Sequence, residues 1–337
     1  MESGKSGVMG SEKNSFAAAN LSKYVITGNS GHYVGTLRDP AAGKFETFLL
    51  CPGLEISFIR IHTDSWPFQE LPDRSDLLII NICLSGRCEV TLSGEQSVIL
   101  SSAEFSFGSQ TAIKDFYYPG GIYEGLEIFL DQSVLTRDSG NFLSFSGISL
   151  PLLRSRYGCD ENLYVSSCPE DVLRAASQIW QLCQSEDIGG IRLFTALLLH
   201  AMQNSEIKPA NIVYLTHSQV MIAKSAQRQA TADLSVRIPA ARFAEKFNIS
   251  ESSFLLYFKS VFGETYRKFM QRQRIEQARK LLTHSDMKIG DICRLIGYEN
   301  QGKFARTFQK WSGSTPLEYR RESRTESGKL FCRENGN

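Results

Sequence analysis

Residues 250–269 read SESSFLLYFKSVFGETYRKF, and residues 300–319 read NQGKFARTFQKWSGSTPLEY. The two stretches align at an offset of 50 residues. Phe254 matches Phe304, Phe258 matches Phe308, Gly263 matches Gly313, Thr265 matches Thr315, and Phe269 matches Tyr319. Ser250 and Asn300 stand at equivalent starts, and both residue types satisfy free N–H groups at a helix N-terminus. A recurrence of this kind marks two copies of one supersecondary unit.

Upstream of each stretch lies a second short apolar pattern. In the later copy, Ile289, Ile292, Cys293 and Ile296 form an i, i+3, i+4, i+7 stripe. Gly297 then supplies a turn, where a positive φ favours a residue without a Cβ. Phe304, Phe308 and Trp311 make the inner stripe of the next helix. In the earlier copy, Ala241, Ala244 and Phe247 line the support helix and Phe254 and Phe258 the second one. Asn248 takes the turn there, consistent with the tolerance of Asn for the left-handed region. Short helix, tight turn and second helix are the grammar of a helix-turn-helix. Between the copies, Thr265–Leu282 reads as one amphipathic helix. Eighteen residues at roughly 1.5 Å each span about 27 Å, close to the ~34 Å between successive major-groove faces of DNA. The region from about Leu234 to Arg320 is predicted to hold seven helices.

This block resembles the DNA-binding domain of the AraC/XylS family of bacterial regulators. The matching residues are Arg274-Ile275-Glu276-Gln277-Ala278-Arg279-Lys280-Leu281-Leu282, then Ile289, Ile292-Cys293, Ile296-Gly297-Tyr298, Phe304, Phe308-Gln309-Lys310, Gly313, Thr315-Pro316 and Tyr319-Arg320. The resemblance implies sequence-specific binding of double-stranded promoter DNA, transcription activation more often than repression, contact with RNA polymerase, and frequent homodimerisation. It further implies that Gln301, Lys303, Ala305 and Arg306 face the bases from the second recognition helix, and Ser252, Leu255 and Leu256 from the first. Gln suits adenine, and Arg or Lys suits guanine. Ser253, Lys259, Arg272, Lys310 and Arg320 are the candidates for phosphate contacts, which position without specifying. The chain departs from the family pattern at Cys293, where alanine is common, and at Leu255 and Leu256, where a polar base reader is common. Apolar contact with a thymine methyl remains open to these leucines.

Charge divides the chain in the same place. Residues 206–337 carry 23 Lys and Arg against 13 Asp and Glu, whereas residues 1–205 carry 14 against 23. The near-zero net charge of +1 therefore conceals a basic part joined to an acidic one. A basic domain gains affinity for DNA through counterion release, and an acidic one is expected to do other work. No run of 18 apolar residues suggests a membrane span. Met1–Asn20 lacks the apolar core of a signal peptide and reads as a mobile tail, and residues 323–337 are expected as a C-terminal tail. A cytoplasmic location is expected. The eight cysteines form no CxxC pair, so no zinc site is expected. Reduced thiols in the core are the simpler reading, with a redox sensor as the other.

Residues 21–165 are expected to form a β-rich sensor domain, a small antiparallel sandwich or barrel similar to the cupin-like domains of the family. The fold class is thus α+β with two domains. Strands are predicted at Glu55–His62, Leu77–Cys83, Cys88–Leu92, Ser97–Leu100, Phe105–Phe107 and Tyr123–Leu130. Turn signals stand at Asp73, Ser85-Gly86, Ser93-Gly94, Gly108 and Gly120-Gly121. After Pro151 the period becomes helical. Pro169–Gln184, Ile191–Met202 and Val213–Ala232 are predicted helices within a dimerisation or linker segment at 166–232, ahead of the double helix-turn-helix at 233–322. The first two of these helices either cover the sheet or pair two protomers.

Arg60, His62, Asn81, Arg87 and Glu89 are the candidates for an effector pocket by strand alternation, against the alternative that they face solvent. No catalytic triad, phosphate loop or metal-binding His-x-His pair can be assembled, so no enzyme activity and no cofactor are expected. Two functional readings stand. In one, the sensor domain binds a small-molecule effector. In the other it answers only to a protein partner or to dimerisation.

Overall fold

The structure, a computed structural model, describes residues 24–29, 31–63, 74–92, 96–137, 142–158, 163–206 and 213–323. The tails expected at 1–20 and beyond Ser323 lie outside the described residues, as do the turn signals at Asp73 and Ser93-Gly94. The chain divides into two compact units, Met1–His217 and Ser218–Asn337.

The first unit is an antiparallel assembly of β1 (Val25–Gly28), β2 (His32–Thr36), β3 (Gly43–Cys51), β4 (Leu54–Ile61), β5 (Leu77–Leu92), β6 (Gln96–Ser101), β7 (Glu104–Ser109), β8 (Ile113–Tyr117), β9 (Tyr123–Asp131), β10 (Tyr164–Ser167) and β11 (Leu215–Thr216). The strand that organises it is β5. Its first half pairs with β9 and β7, and its second half pairs with β6 and β8. One strand therefore belongs to both layers. The register shifts between Cys83 and Ser85, where it crosses from one layer to the other.

The turn expected at Ser85-Gly86 would cut β5 in two, but the strand runs on from Leu77 to Leu92. Gly86 instead serves a close approach inside a continuous strand. Its φ is +81°, and a Cβ there would stand 2.0 Å from the carbonyl oxygen of Ile122. Gly108, also read as a turn, lies within β7 opposite Ile79. Gly120 and Gly121, with φ of +89° and +69°, do make the turn before β9.

Alternation along the strands builds two cores. Phe48, Ile56, Phe58, Ile80, Ile82 and Ile128 face a helical layer made of α3 (Leu150–Tyr157), α4 (Glu170–Cys183) and α5 (Ile188–Asn204). Leu153, Val172, Ile179, Leu198 and Leu199 supply the helical side. The opposite face packs Ile59, Ile79 and Phe129 against Val90, Val98 and Leu100 of the second layer. Two short helices, α1 (Gln132–Leu135) and α2 (Phe142–Phe145), lead from β9 towards α3.

The segment expected as one helical linker at 166–232 therefore splits. Helices α4 and α5 are part of the first unit and cover the sheet. Val213–Thr216, predicted as helix, is not: Leu215 and Thr216 pair with Ser97 and Gln96. Helix α5 leaves Leu193 and Leu197 exposed.

The second unit holds α6 (His217–Ala232), α7 (Ala240–Lys246), α8 (Glu251–Phe262), α9 (Tyr266–His284), α10 (Ile289–Leu295), α11 (Gln301–Ser312) and α12 (residues 316–323). Among the described residues, six helices rather than seven follow Leu234; α6 is the seventh and precedes it. Two small cores share α9. On one side, rings of Phe243 and Phe254 stack at 5.5 Å, and Phe258 meets Phe269 at 5.3 Å. On the other, Ile275, Ala278 and Leu282 pack with Ile292, Cys293, Ile296, Phe304 and Phe308.

Candidate nucleic-acid interface

The two recognition helices are built alike. In α8, Ser250 Oγ accepts the N–H of Ser253 at 3.0 Å, and Gly263 closes the C-terminus at φ +76°. In α11, Asn300 Oδ1 accepts the N–H of Lys303 at 2.9 Å, and Gly313 closes it at φ +81°. Each helix has 12 residues, displaced by the offset of the sequence repeat. Asn248 and Gly297 make the turns with φ of +52° and +76°. Only glycine fits the second turn, because a Cβ on Gly297 would stand 2.5 Å from the carbonyl oxygen of Leu234.

That close contact belongs to a strap not foreseen from the sequence. Arg274 of α9 is buried, and its guanidinium donates to the carbonyls of Leu234 and Val236, both at 3.2 Å. Arg237 donates to the carbonyl of Gly297 at 2.7 Å and lies over the Tyr298 ring at 5.1 Å. Tyr266 donates to the carbonyl of Ile238 at 2.8 Å. The entry segment at 234–238 is thereby tied both to α9 and to the second turn. Arg279 donates to Trp311 O at 2.9 Å and to Ser312 Oγ at 3.0 Å, holding the C-terminal end of α11, where a cation is also favoured by the helix dipole.

Against that rigid support, the outward residues can be assigned. On α8, Phe254, Phe258, Val261 and Phe262 are buried, while Ser252, Leu255, Leu256 and Lys259 are exposed. Ser253 is half-buried, with Oγ 2.8 Å from Ser250 Oγ. On α11, Gln301, Lys303, Arg306 and Lys310 are exposed and Ala305 is half-buried. A cleft of about 630 Å³ separates the two helices, with Glu251 and Leu255 on one wall, Lys303 and Thr307 on the other, and Tyr266 and Arg267 of α9 among its lining.

Two phosphate candidates have internal partners. Arg272 sits 2.8 Å from Glu264 and 3.2 Å from Glu276, and packs over Phe269 at 5.1 Å. Arg320 donates to the carbonyl of Met287 at 2.7 Å. Lys259 and Lys310, in the last turns of α8 and α11, are exposed.

In the first unit, the five effector candidates do not converge. Arg60 lies 4.5 Å over the ring of Trp180, on the helix-covered side. His62 is exposed just past the end of β4. Arg87 is half-buried in β5, where burial lowers its pKa. Glu89 is buried and accepts the Ser97 hydroxyl at 3.4 Å. Asn81 is buried inside the sandwich, donating to Glu127 at 3.3 Å and accepting the Tyr123 hydroxyl at 2.6 Å. Alternation failed as a guide because β5 changes layer between Asn81 and Glu89, and because Arg60 shares the face of Phe58. The row of Asn81 is a polar one missed from the sequence: Thr47, Ser57, Glu127, Asn81 and Ser106 are register partners on five adjacent strands, all buried. Burial pushes the Glu127 carboxyl up to about 7. Among the described residues, no group of three or more His, Cys, Asp or Glu could hold a metal ion. Cys51, Cys83, Cys88, Cys168, Cys183 and Cys293 are free thiols, and burial pushes Cys83, Cys168 and Cys183 up to about 12. No helix among the described residues is long and apolar enough to cross a membrane.

Comparison with known proteins falls on the same region. A family model described as a helix-turn-helix domain matches residues 243–322. The HTH-type transcriptional regulator ExsA of Pseudomonas aeruginosa is 34% identical over 95 residues, covering 28% of this chain and 32% of that protein. The regulatory protein PocR of Salmonella typhimurium is 32% identical over 99 residues, covering 29% of this chain and 33% of that protein. The chain thus spans about a third of the length of these curated relatives. Among solved structures, the C-terminal domain of AraT, a response regulator from Geobacillus stearothermophilus, matches with 26% identity and a TM-score of 0.29, covering 30% of this chain and 84% of that one. The repeated helices, their caps and turns, the matched residues and the curated relatives agree: residues 243–322 form a C-terminal helix-turn-helix domain of the AraC type.

Proposed function

We propose that the protein is a sequence-specific DNA-binding transcription regulator. The observation that carries this reading is the pair of like-capped recognition helices joined through the single helix α9. With 19 residues, α9 is about 28 Å long at 1.5 Å per residue, which suits two neighbouring major-groove segments on one face of a duplex. Gln301, Lys303, Ala305 and Arg306 of α11, with Ser252, Leu255 and Leu256 of α8, face the bases. Ser253, Lys259 and Lys310 meet phosphates. Arg272 takes part in the interface by holding α9 in place through its ion pairs with Glu264 and Glu276, and Arg320, with one N–H on the Met287 carbonyl, keeps its charge for a phosphate. The basic excess of residues 206–337 supplies the salt-sensitive part of the affinity.

The resemblance supports an activator that contacts RNA polymerase, acts as a cytoplasmic homodimer and answers to a small-molecule effector bound in the first unit. A second reading has its own observation. Leu193 and Leu197 are exposed on α5, beside a groove of about 580 Å³ between α4 and α5. That surface suits control by dimerisation or by a protein partner, with no small molecule.

Selection of bound sequences from a random duplex pool by the full-length protein tests the main proposal. Enrichment of one motif, bound more tightly than scrambled DNA and weakening steeply with salt, is the expected result. Equal binding of both duplexes at every salt concentration overturns it.

A further inference from the structure

The two recognition helices differ in chemistry although they agree in build. At 100° per residue, Leu256 stands directly opposite the buried stripe of Phe254 and Phe258, as Arg306 stands opposite Phe304 and Phe308. The repeat offset pairs Leu255 with Ala305 and Leu256 with Arg306. In α11 the outermost residue is thus a cation able to donate two hydrogen bonds to guanine. In α8 it is a leucine with 54% of its surface exposed, flanked by Leu255 at 37%. The serines beside these leucines also bond to the helix cap, which leaves each with part of its hydrogen-bonding capacity for DNA. Ser252 Oγ lies 2.9 Å and Ser253 Oγ 2.8 Å from Ser250 Oγ, in the cluster that caps the helix. The centre of the α8 face therefore offers methyl groups and few free hydrogen-bonding groups.

Resting on the regulator reading above, we infer that α8 reads DNA through the 5-methyl groups of thymine, with Leu256 as the specificity-determining residue and Leu255 beside it. Thymine is the only base with a methyl group in the major groove. An exposed leucine pressed against it removes apolar surface of both partners from water, whereas guanine and adenine offer polar atoms that leucine leaves unsatisfied. The operator is accordingly asymmetric: one element is defined by hydrogen bonds to α11, and the other by thymine methyls under α8.

Deoxyuridine tests this directly, because it differs from thymidine only by the missing methyl. The duplex enriched by the full-length protein is re-made with deoxyuridine at each thymine in turn, and affinities are measured for the wild type, Leu256→Ala, Leu256→Met and Arg306→Ala. Circular dichroism checks that each variant folds. The expected result is a loss of about fourfold at each contacted thymine for the wild type, the factor that burying one methyl-sized group supplies. Leu256→Ala should bind the thymine duplex as weakly as the wild type binds the deoxyuridine one and should be indifferent to the exchange. Leu256→Met should keep most of the discrimination, and Arg306→Ala should keep all of it. The inference is overturned if an enriched motif contains no thymine coupled to Leu256 in this way, while the regulator reading survives. If no motif is enriched, the regulator reading fails and the inference falls with it.

Discussion

Replacing Glu127 by Gln isolates one buried titration. The Glu127 carboxyl sits inside the sandwich, with Asn81 Nδ2 at 3.3 Å. Burial raises its pKa from an ordinary 4.5 to about 7. Below pH 4.5 the folded and unfolded chains both hold the proton, and above 7 neither does. Between these values the unfolded chain releases a proton that the folded chain keeps, so stability falls as pH rises. The slope approaches 1.4 kcal/mol per pH unit, which accumulates to roughly 3 kcal/mol over the window. Gln has nearly the same shape, keeps an oxygen for the Asn81 amide and cannot ionise. The assay is urea unfolding of the full-length wild type and Glu127→Gln at several pH values from 4 to 8. Subtracting the two profiles removes the groups common to both. The variant should gain on the wild type by about 3 kcal/mol between pH 4.5 and 7 and stay level above that. A difference that is flat within about 0.5 kcal/mol across the whole range would refute the assignment of a buried carboxyl with a raised pKa.

Gly297→Ala should destabilise the second unit by more than about 1 kcal/mol, since its φ of +76° and the carbonyl of Leu234 at 2.5 Å both oppose a Cβ; thermal unfolding followed by circular dichroism reads the loss. Arg274→Met removes both guanidinium hydrogen bonds to the 234–236 carbonyls and should cost about 2–3 kcal/mol, with faster amide exchange in the entry segment as the specific signature. Arg306→Ala should relax preference at one base position at a cost of about 1–3 kcal/mol, seen as a change in the selected motif at that position and no other.

The second unit was legible because its signals are local. Caps at Ser250 and Asn300, a turn glycine at 297 and aromatic residues at helical spacing each act within a few residues, and the repeat offset doubled every one of them. What stayed hidden there was non-local. Nothing in the order of residues says that Arg274 reaches the carbonyls of Leu234 and Val236 some 40 positions earlier, or that Arg272 is bracketed by Glu264 and Glu276. In the first unit the sandwich class was readable from alternation and turn spacing, but the continuity of β5 was not. Gly86 looks the same in sequence whether it turns the chain or admits the Ile122 carbonyl to a strand. That ambiguity also misdirected the pocket: period-two alternation carries a face along one strand, and β5 changes layers between Asn81 and Glu89. Short edge strands such as β10 and β11 owe their existence to partners that alternation cannot name.

If one chain sets two recognition helices into neighbouring grooves, the DNA backbone is covered at two places on one face. Hydroxyl-radical footprinting of the full-length protein on its selected duplex measures this. Two protected patches per bound chain are expected on a single face of the DNA, their centres about one helical turn apart, with Leu256→Ala and Arg306→Ala each weakening a different one. A single patch, or two patches weakened together by either substitution, would contradict that placement.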